Sequence, residues 1–163
     1  MAKSRKQKLL LEAQQNEITE YYIYLRLAKH AKSKGNATIL KQLAHDELRH
    51  YHFWKKHTGK EVSPSFLKIV FYTFVARLFG MTFGLKLMER GESLAQRHYR
   101  ELLKFLPEAQ RIEKEEKQHE MKLLRMLKDL SQAYSGSIVL GLNDALVELT
   151  GALAGLTLAF QKT

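Results

Sequence analysis

Apolar residues recur at helical spacing along almost the whole chain, and no stretch alternates apolar and polar positions as a half-buried strand does. From Leu9 to Lys34, the residues Leu10, Ile18, Tyr21, Leu25 and Ala28 follow a helical repeat, and Gly35 to Ala37 predicts a turn. A second helix is expected from about Ala37 to His57, stopped by Gly59. Ser63 is the expected N-cap of the next run, with Pro64 in its first turn. That run continues to about Phe105, weakened by Gly80, Gly84 and Gly91, and its second half forms the third helix. Pro107 opens a fourth, which carries Glu108 to about Leu130 before Tyr134 to Ser137 break the pattern. The expectation is an all-α chain of four helices with a long apolar lead-in to the third.

The lead-in, Phe66 to Met88, is long enough to span a bilayer but contains Lys68, Arg77 and Lys86, which argues against crossing. A buried or dimer-forming helix is the first reading and a helix lying on a membrane surface the second. A second apolar run, Ser135 to Phe160, has spanning length and is interrupted by Asn143, Asp144 and Glu148. Gly151, Ala152, Ala154 and Gly155 would permit close helix packing in lipid, and Asp144 and Glu148 share a face as carboxylates on a membrane ion path would. The domain division expected is therefore 1–134 and 135–163.

Composition narrows the chemistry. The 163 residues include two prolines and no cysteine, so disulfides, thiolate zinc sites and iron–sulfur clusters are excluded and metal ligation falls to His and carboxylates. The net charge of +10 is spread along helical faces apart from Lys3, Arg5, Lys6 and Lys8, with no basic–aromatic interleaving of a nucleic-acid module. Nucleic acid is not an expected partner. Cations beside anionic lipid favour a cytoplasmic membrane face.

Two short stretches stand out. His45–Asp46–Glu47–Leu48–Arg49–His50 sets Glu47 three residues ahead of His50, and Glu116 stands three ahead of His119. On a helix, positions i and i+3 share a face, so each pair can direct a carboxylate oxygen and an imidazole nitrogen at one point. With 14 glutamates and seven histidines, about half of one such pair arises by chance. The preceding helices strengthen the case: Glu17 is followed seven residues on by Tyr24, and Glu92 by Tyr99. The chain thus repeats one unit, Glu-x6-Tyr, a turn, then Glu-x-x-His. Antiparallel packing at about 1.5 Å per residue brings each Glu to the level of the following pair. One Glu from each of two helices and Glu-x-x-His from each of two others is a dinuclear carboxylate arrangement, suited to iron or manganese. Asp46, Glu20, Glu89, Glu113, Glu115 and Glu120 are expected to be solvated, with Glu20, Glu89, Glu113 and Glu120 kept as accessory or entry positions. Tyr21, Tyr22, Tyr51 and Trp54 are expected in the core.

On these motifs Leu9 to Leu130 resembles the ferritin-like superfamily, most closely the rubrerythrin-type di-iron domain. The resemblance implies an antiparallel four-helix bundle, with Glu17, Glu47, His50, Glu92, Glu116 and His119 as ligands to two iron ions, or manganese, and no haem. It implies Tyr24 and Tyr99 as hydrogen-bond donors to the ligand carboxylates. Ala95 stands where rubrerythrins often carry a further glutamate, and a cysteine-free chain cannot build their rubredoxin centre. The stretch Gly141 to Ala159 resembles the first membrane helix of the vacuolar iron transporter family, some members of which carry a ferritin-like domain. Together the two resemblances imply a cytoplasm-facing domain plus the opening of a first membrane span, handling ferrous iron with oxygen or peroxide. The apolar face of Phe66 to Met88 separately leads to the expectation of a homodimer formed through that segment. The rival expectations are a metal-sensing module that controls transport without turnover, a rubrerythrin-like peroxidase, and a bundle that binds nothing.

Overall fold

The computed structural model describes residues 2–88 and 102–130, together with Gln132, Val147, Glu148 and Thr150. Among them every regular element is helical and no strand occurs. The chain divides into two compact units, Met1–Leu127 and Lys128–Thr163, and the elements that follow belong to the first apart from the last residues of the helix at 110–130.

Helix α1 runs Ala2–His30 and α2 runs Lys34–Thr58. They lie antiparallel: Gln7 Nε2 reaches the Thr58 carbonyl at 3.4 Å, while Glu17 further along α1 meets Trp54, earlier on α2. Apolar residues one turn apart close this pair. Ile23, Leu27, Leu40 and Leu43 are sealed from solvent, as is Trp54 at the other end. The break falls at residues 31–33, earlier than the expected Gly35–Ala37 turn. Ser33 is the extended N-cap residue of α2, and the Ala37 amide donates to its carbonyl at 3.0 Å, so Gly35 and Asn36 enter the first turn. Burial of the apolar positions beyond them outweighs glycine's poor helix propensity. At the far end Gly59, with φ of 67°, adopts the left-handed conformation that glycine tolerates without a Cβ clash, and its amide donates to the Lys55 carbonyl.

The segment 60–65 has no regular secondary structure and is tied to α1 by side chains. Gln14 Nε2 donates to the Lys60 carbonyl at 2.9 Å, and the Thr58 hydroxyl donates to Gln14 Oε1 at 2.6 Å. Ser65 N donates to Thr19 Oγ1 at 2.9 Å. Because the chain is held there, α3 starts at Phe66 with Ser65 as N-cap residue. The expected cap at Ser63 is displaced by two residues.

Helix α3, Phe66–Phe79, packs Ile69 and Val75 inward. Gly80, with φ of 91°, ends it, so the expected continuous run is two helices. The second, α4, covers 81–88 and folds back so closely that a Cβ on Gly84 would stand 2.5 Å from Ala76 Cβ. Residues 102–105 are helical, Pro107–Ala109 form a 3₁₀ turn as the proline predicts, and α5 follows over 110–130. Leu102, Leu106, Ala109 and Ile112 join Leu9, Leu10, Ala13 and Trp54 in one buried cluster, which docks the start of α5 against α1 and α2. Tyr51 and Trp54 are core residues as expected, whereas Tyr22 is exposed. Among the described residues no helix is long and apolar enough to cross a membrane.

Candidate metal centre

Where α1, α2 and α5 meet, three carboxylates and two imidazoles turn away from solvent. Glu17, Glu47, His50 and His119 are each no more than 3 % exposed. Glu47 and His50 are one turn apart on α2, as are Glu116 and His119 on α5, and in both pairs the i,i+3 spacing brings the side chains to one face. Ligand atoms of Glu47, His50, Glu116 and His119 all lie within 4.8 Å of one another, and so do those of Glu17, Glu20 and Glu47. Glu47 belongs to both groups.

Both histidines turn Nδ1 inward. His50 Nδ1 is 3.3 Å from Glu47 Oε2, 2.8 Å from Glu116 Oε1 and 3.8 Å from Glu17 Oε2. His119 Nδ1 is 3.0 Å from Glu47 Oε1 and 3.9 Å from Glu116 Oε2. The two rings stack with centroids 5.5 Å apart. Although 21 % of the Glu116 side chain is exposed, its Oε1 is sealed and has no hydrogen-bond partner, since the nearby His50 nitrogen stands out of line for one. A buried carboxylate oxygen left this way is costly, and a cation shared with the neighbouring nitrogens would satisfy it. The donor set of imidazole and carboxylate suits iron or manganese as well as zinc, and a metal ion fits the site.

The outward nitrogens are held crosswise. His50 Nε2 on α2 is 2.9 Å from Glu115 Oε2 on α5, and His119 Nε2 on α5 is 3.1 Å from Asp46 Oδ2 on α2. Arg49 pairs with Asp46 and lies 3.5 Å from Glu115, and Arg111 Nε donates to Glu115 Oε1 at 2.9 Å. Asp46 and Glu115 were expected to be solvated; they are instead the groups that face each ring's outward nitrogen and fix its orientation, with Nδ1 turned toward Glu47 and Glu116. The available signal was an acid immediately before the glutamate in both motifs, Asp46–Glu47 and Glu115–Glu116. Trp54, expected only as core, donates Nε1–H to Glu17 Oε1 at 3.0 Å, which leaves Oε2 as the oxygen facing His50.

The charges follow from this layout. Burial pushes the Glu47 carboxyl well above its ordinary range, and the Glu17 carboxylate adds to the rise against a hydrogen bond with His50. Burial, then the charges of Glu47 and Glu17, push Glu116 up as well. For His50, burial disfavours the imidazolium, but Glu116, Glu17 and Glu47 outweigh it and its proton is held more tightly than usual. Burial also opposes ionisation of Glu115, yet His50 and Arg111 hold it down at about 2. At Asp46, burial is likewise overcome by Arg49 and His119, and the pKa is lowered. An inner set of carboxylates that resist ionisation without a cation is thus ringed by two that stay ionised.

The remaining expected positions divide three ways. Tyr24 is buried on the same helix as Glu17, and Glu20 joins the second group at half-burial. Glu113 pairs with Lys117 at 3.1 Å and Glu120 is half-buried, and neither joins a group that can hold metal; Glu148 is exposed. Glu89, Glu92, Tyr99 and Asp144 lie outside the described residues. No protein-family model, curated protein or solved structure matches this chain.

Proposed function

We propose that the chain is a ferritin-like di-metal domain that binds ferrous iron and oxidises it, serving iron homeostasis at the cytoplasmic face of a membrane iron or manganese transporter. The observation that supports it most is the crosswise pairing: two imidazoles with Nδ1 directed at Glu47 and Glu116 while Nε2 of each is held by an acid from the opposite helix. Glu17, Glu47, His50, Glu116 and His119 would hold the metal, with Glu92 as the sixth ligand by the repeat of the sequence unit. Two ferrous ions bound there supply two electrons, enough with two protons to convert dioxygen to hydrogen peroxide. The protein's own part is to exclude water, fix the ligand rings and offset the cations with buried carboxylates. The reading includes an antiparallel four-helix bundle completed by the segment that carries Glu92, and a tail at Ser135 to Phe160 that begins a membrane span.

Purified protein stripped with a chelator and reloaded anaerobically should take up two ferrous ions per chain, and anomalous diffraction at the iron edge should place them between Glu47 and Glu116. No metal uptake would overturn the reading. Mixing the ferrous protein with oxygen then divides its branches: oxidation no faster than in buffer identifies a sensor, and much faster reaction with peroxide a peroxidase.

A further inference from the structure

We propose that α3 is a contact surface for an anionic lipid bilayer. One side of this helix is spent on packing, through Ile69 and Val75. The other presents Phe66, Leu67, Val70, Phe71, Phe74 and Leu78, all exposed, with Leu67 at 81 % and Phe66 at 68 %. At about 100° per residue these six fall within an arc of about 140°. Phe79 at the end of α3 and Phe83 on α4 are also exposed, 5.4 Å apart between ring centroids. Soluble surfaces rarely leave so many contiguous aromatic and aliphatic side chains in water without a partner.

Charge selects the partner. From Val62 to Met88 there is no aspartate or glutamate, and the three charged residues, Lys68, Arg77 and Lys86, are cations in exposed positions. Arg77 falls inside the apolar arc, whereas Lys68 lies about 60° beyond its edge, past the inward-facing Val75, where Nζ donates to Asn16 Oδ1 at 3.2 Å. A two-fold pairing of this face with a second copy adds only further cations from the same segment, with no anion from Val62 to Met88 to offset them. Anionic headgroups supply the missing charge, and aromatic side chains with flanking Lys and Arg are the composition that settles at a bilayer interface. With 14 residues, α3 is about 21 Å long, too short for the roughly 30 Å hydrocarbon core, so it lies on the surface and does not cross. The argument uses the exposure and charge of α3 and does not depend on the metal centre.

The chain lacks cysteine, which allows single nitroxide labels to report each position. Metal-free full chain labelled at Phe74→Cys, Leu78→Cys or, as a control on α2, Lys41→Cys would be mixed with phosphatidylglycerol-containing vesicles or with neutral phosphatidylcholine vesicles. The expected result is lipid-like oxygen accessibility at 74 and 78 with the anionic vesicles only, and water-like accessibility at 41. Because positions are read individually, attachment through the apolar tail cannot imitate this. Adding Arg77→Gln and Lys86→Gln should lower the ratio of lipid-phase to water-phase label at 74 about 30-fold, at roughly a tenfold factor per 1.4 kcal/mol and about 1 kcal/mol per cation. Water-like labels at 74 and 78 on vesicle-bound protein would overturn the proposal. So would dipolar broadening between two labels at 74 in lipid-free solution, which would identify a second copy as the occupant, and so would equal burial on neutral vesicles.

Discussion

Replacing Glu47 by Gln should reverse sign with metal. The side chain is 1 % exposed and belongs to both ligand groups, and the amide is nearly isosteric, so the local packing is kept. Without metal, Glu47 is a cost: an ionised neighbour at 4.8 Å, the outer limit for these ligand atoms, contributes about 3.5 kcal/mol of repulsion at an effective dielectric of about 20, and protonation relieves part of it. Its oxygens do accept from His50 and His119, and a neutral amide oxygen replaces one of those bonds at a loss of about 1 kcal/mol. The two effects largely cancel, so metal-free Glu47→Gln should be within about 1 kcal/mol of the parent or more stable. With metal at a thousand times its dissociation constant, the parent gains about 4.1 kcal/mol, or about 8–16 °C in melting temperature for a chain of this size. The variant should gain little. Thermal melts in chelator and in excess manganese, which avoids oxidation, measure both halves. A variant that keeps the full metal-dependent shift, or one that loses more than about 2 kcal/mol in chelator, would show that Glu47 is a structural hydrogen-bond hub and not a ligand.

Three further outcomes follow from the same geometry. Asp46→Asn and Glu115→Gln should each leave the fold intact but weaken metal binding by about 10- to 100-fold, because each replaces the anionic acceptor that fixes a ligand ring with a neutral amide; unchanged affinity in a competition titration would refute that role. Trp54→Phe keeps the ring in the core but removes the donor to Glu17 Oε1, at a cost of about 1–3 kcal/mol in denaturant titration, and in the parent the fluorescence of this single tryptophan should change on metal binding. Glu47, Glu116 and His50 all have raised pKa values in the metal-free fold, so their contribution is fully present below their ordinary values and is lost as pH rises through the folded ones. The melting temperature of metal-free protein relative to Glu116→Gln should therefore fall from pH 5 to pH 8, and metal uptake should release protons, measurable by calorimetry in two buffers of different ionisation enthalpy; a flat difference with no proton release contradicts the buried, protonated state.

Helical identity was legible because periodicity is local: the apolar repeats in residues 9–58 and 108–130 could serve only helices, and Pro107 and Gly59 mark ends by their own backbone restrictions. The Glu-x-x-His pairs were legible for the same reason, since i and i+3 meet on any helix whatever it packs against. Helix boundaries at Ser33 and Ser65 were not, because they are set by burial of the following turn and by Thr19, which reaches Ser65 from 46 residues away in the sequence.

By itself, then, the sequence determined that the chain is helical, that Glu47 and His50 share a face, and that Glu116 and His119 share another. Only the tertiary structure decided that these faces meet, that Glu17 is held by Trp54, and that the half-buried Asp46 and Glu115 grip the histidine of the opposite helix. The reason is that a side chain's partner across a helix interface depends on the rotation and axial offset of two rods, and neither is fixed by spacing along one of them.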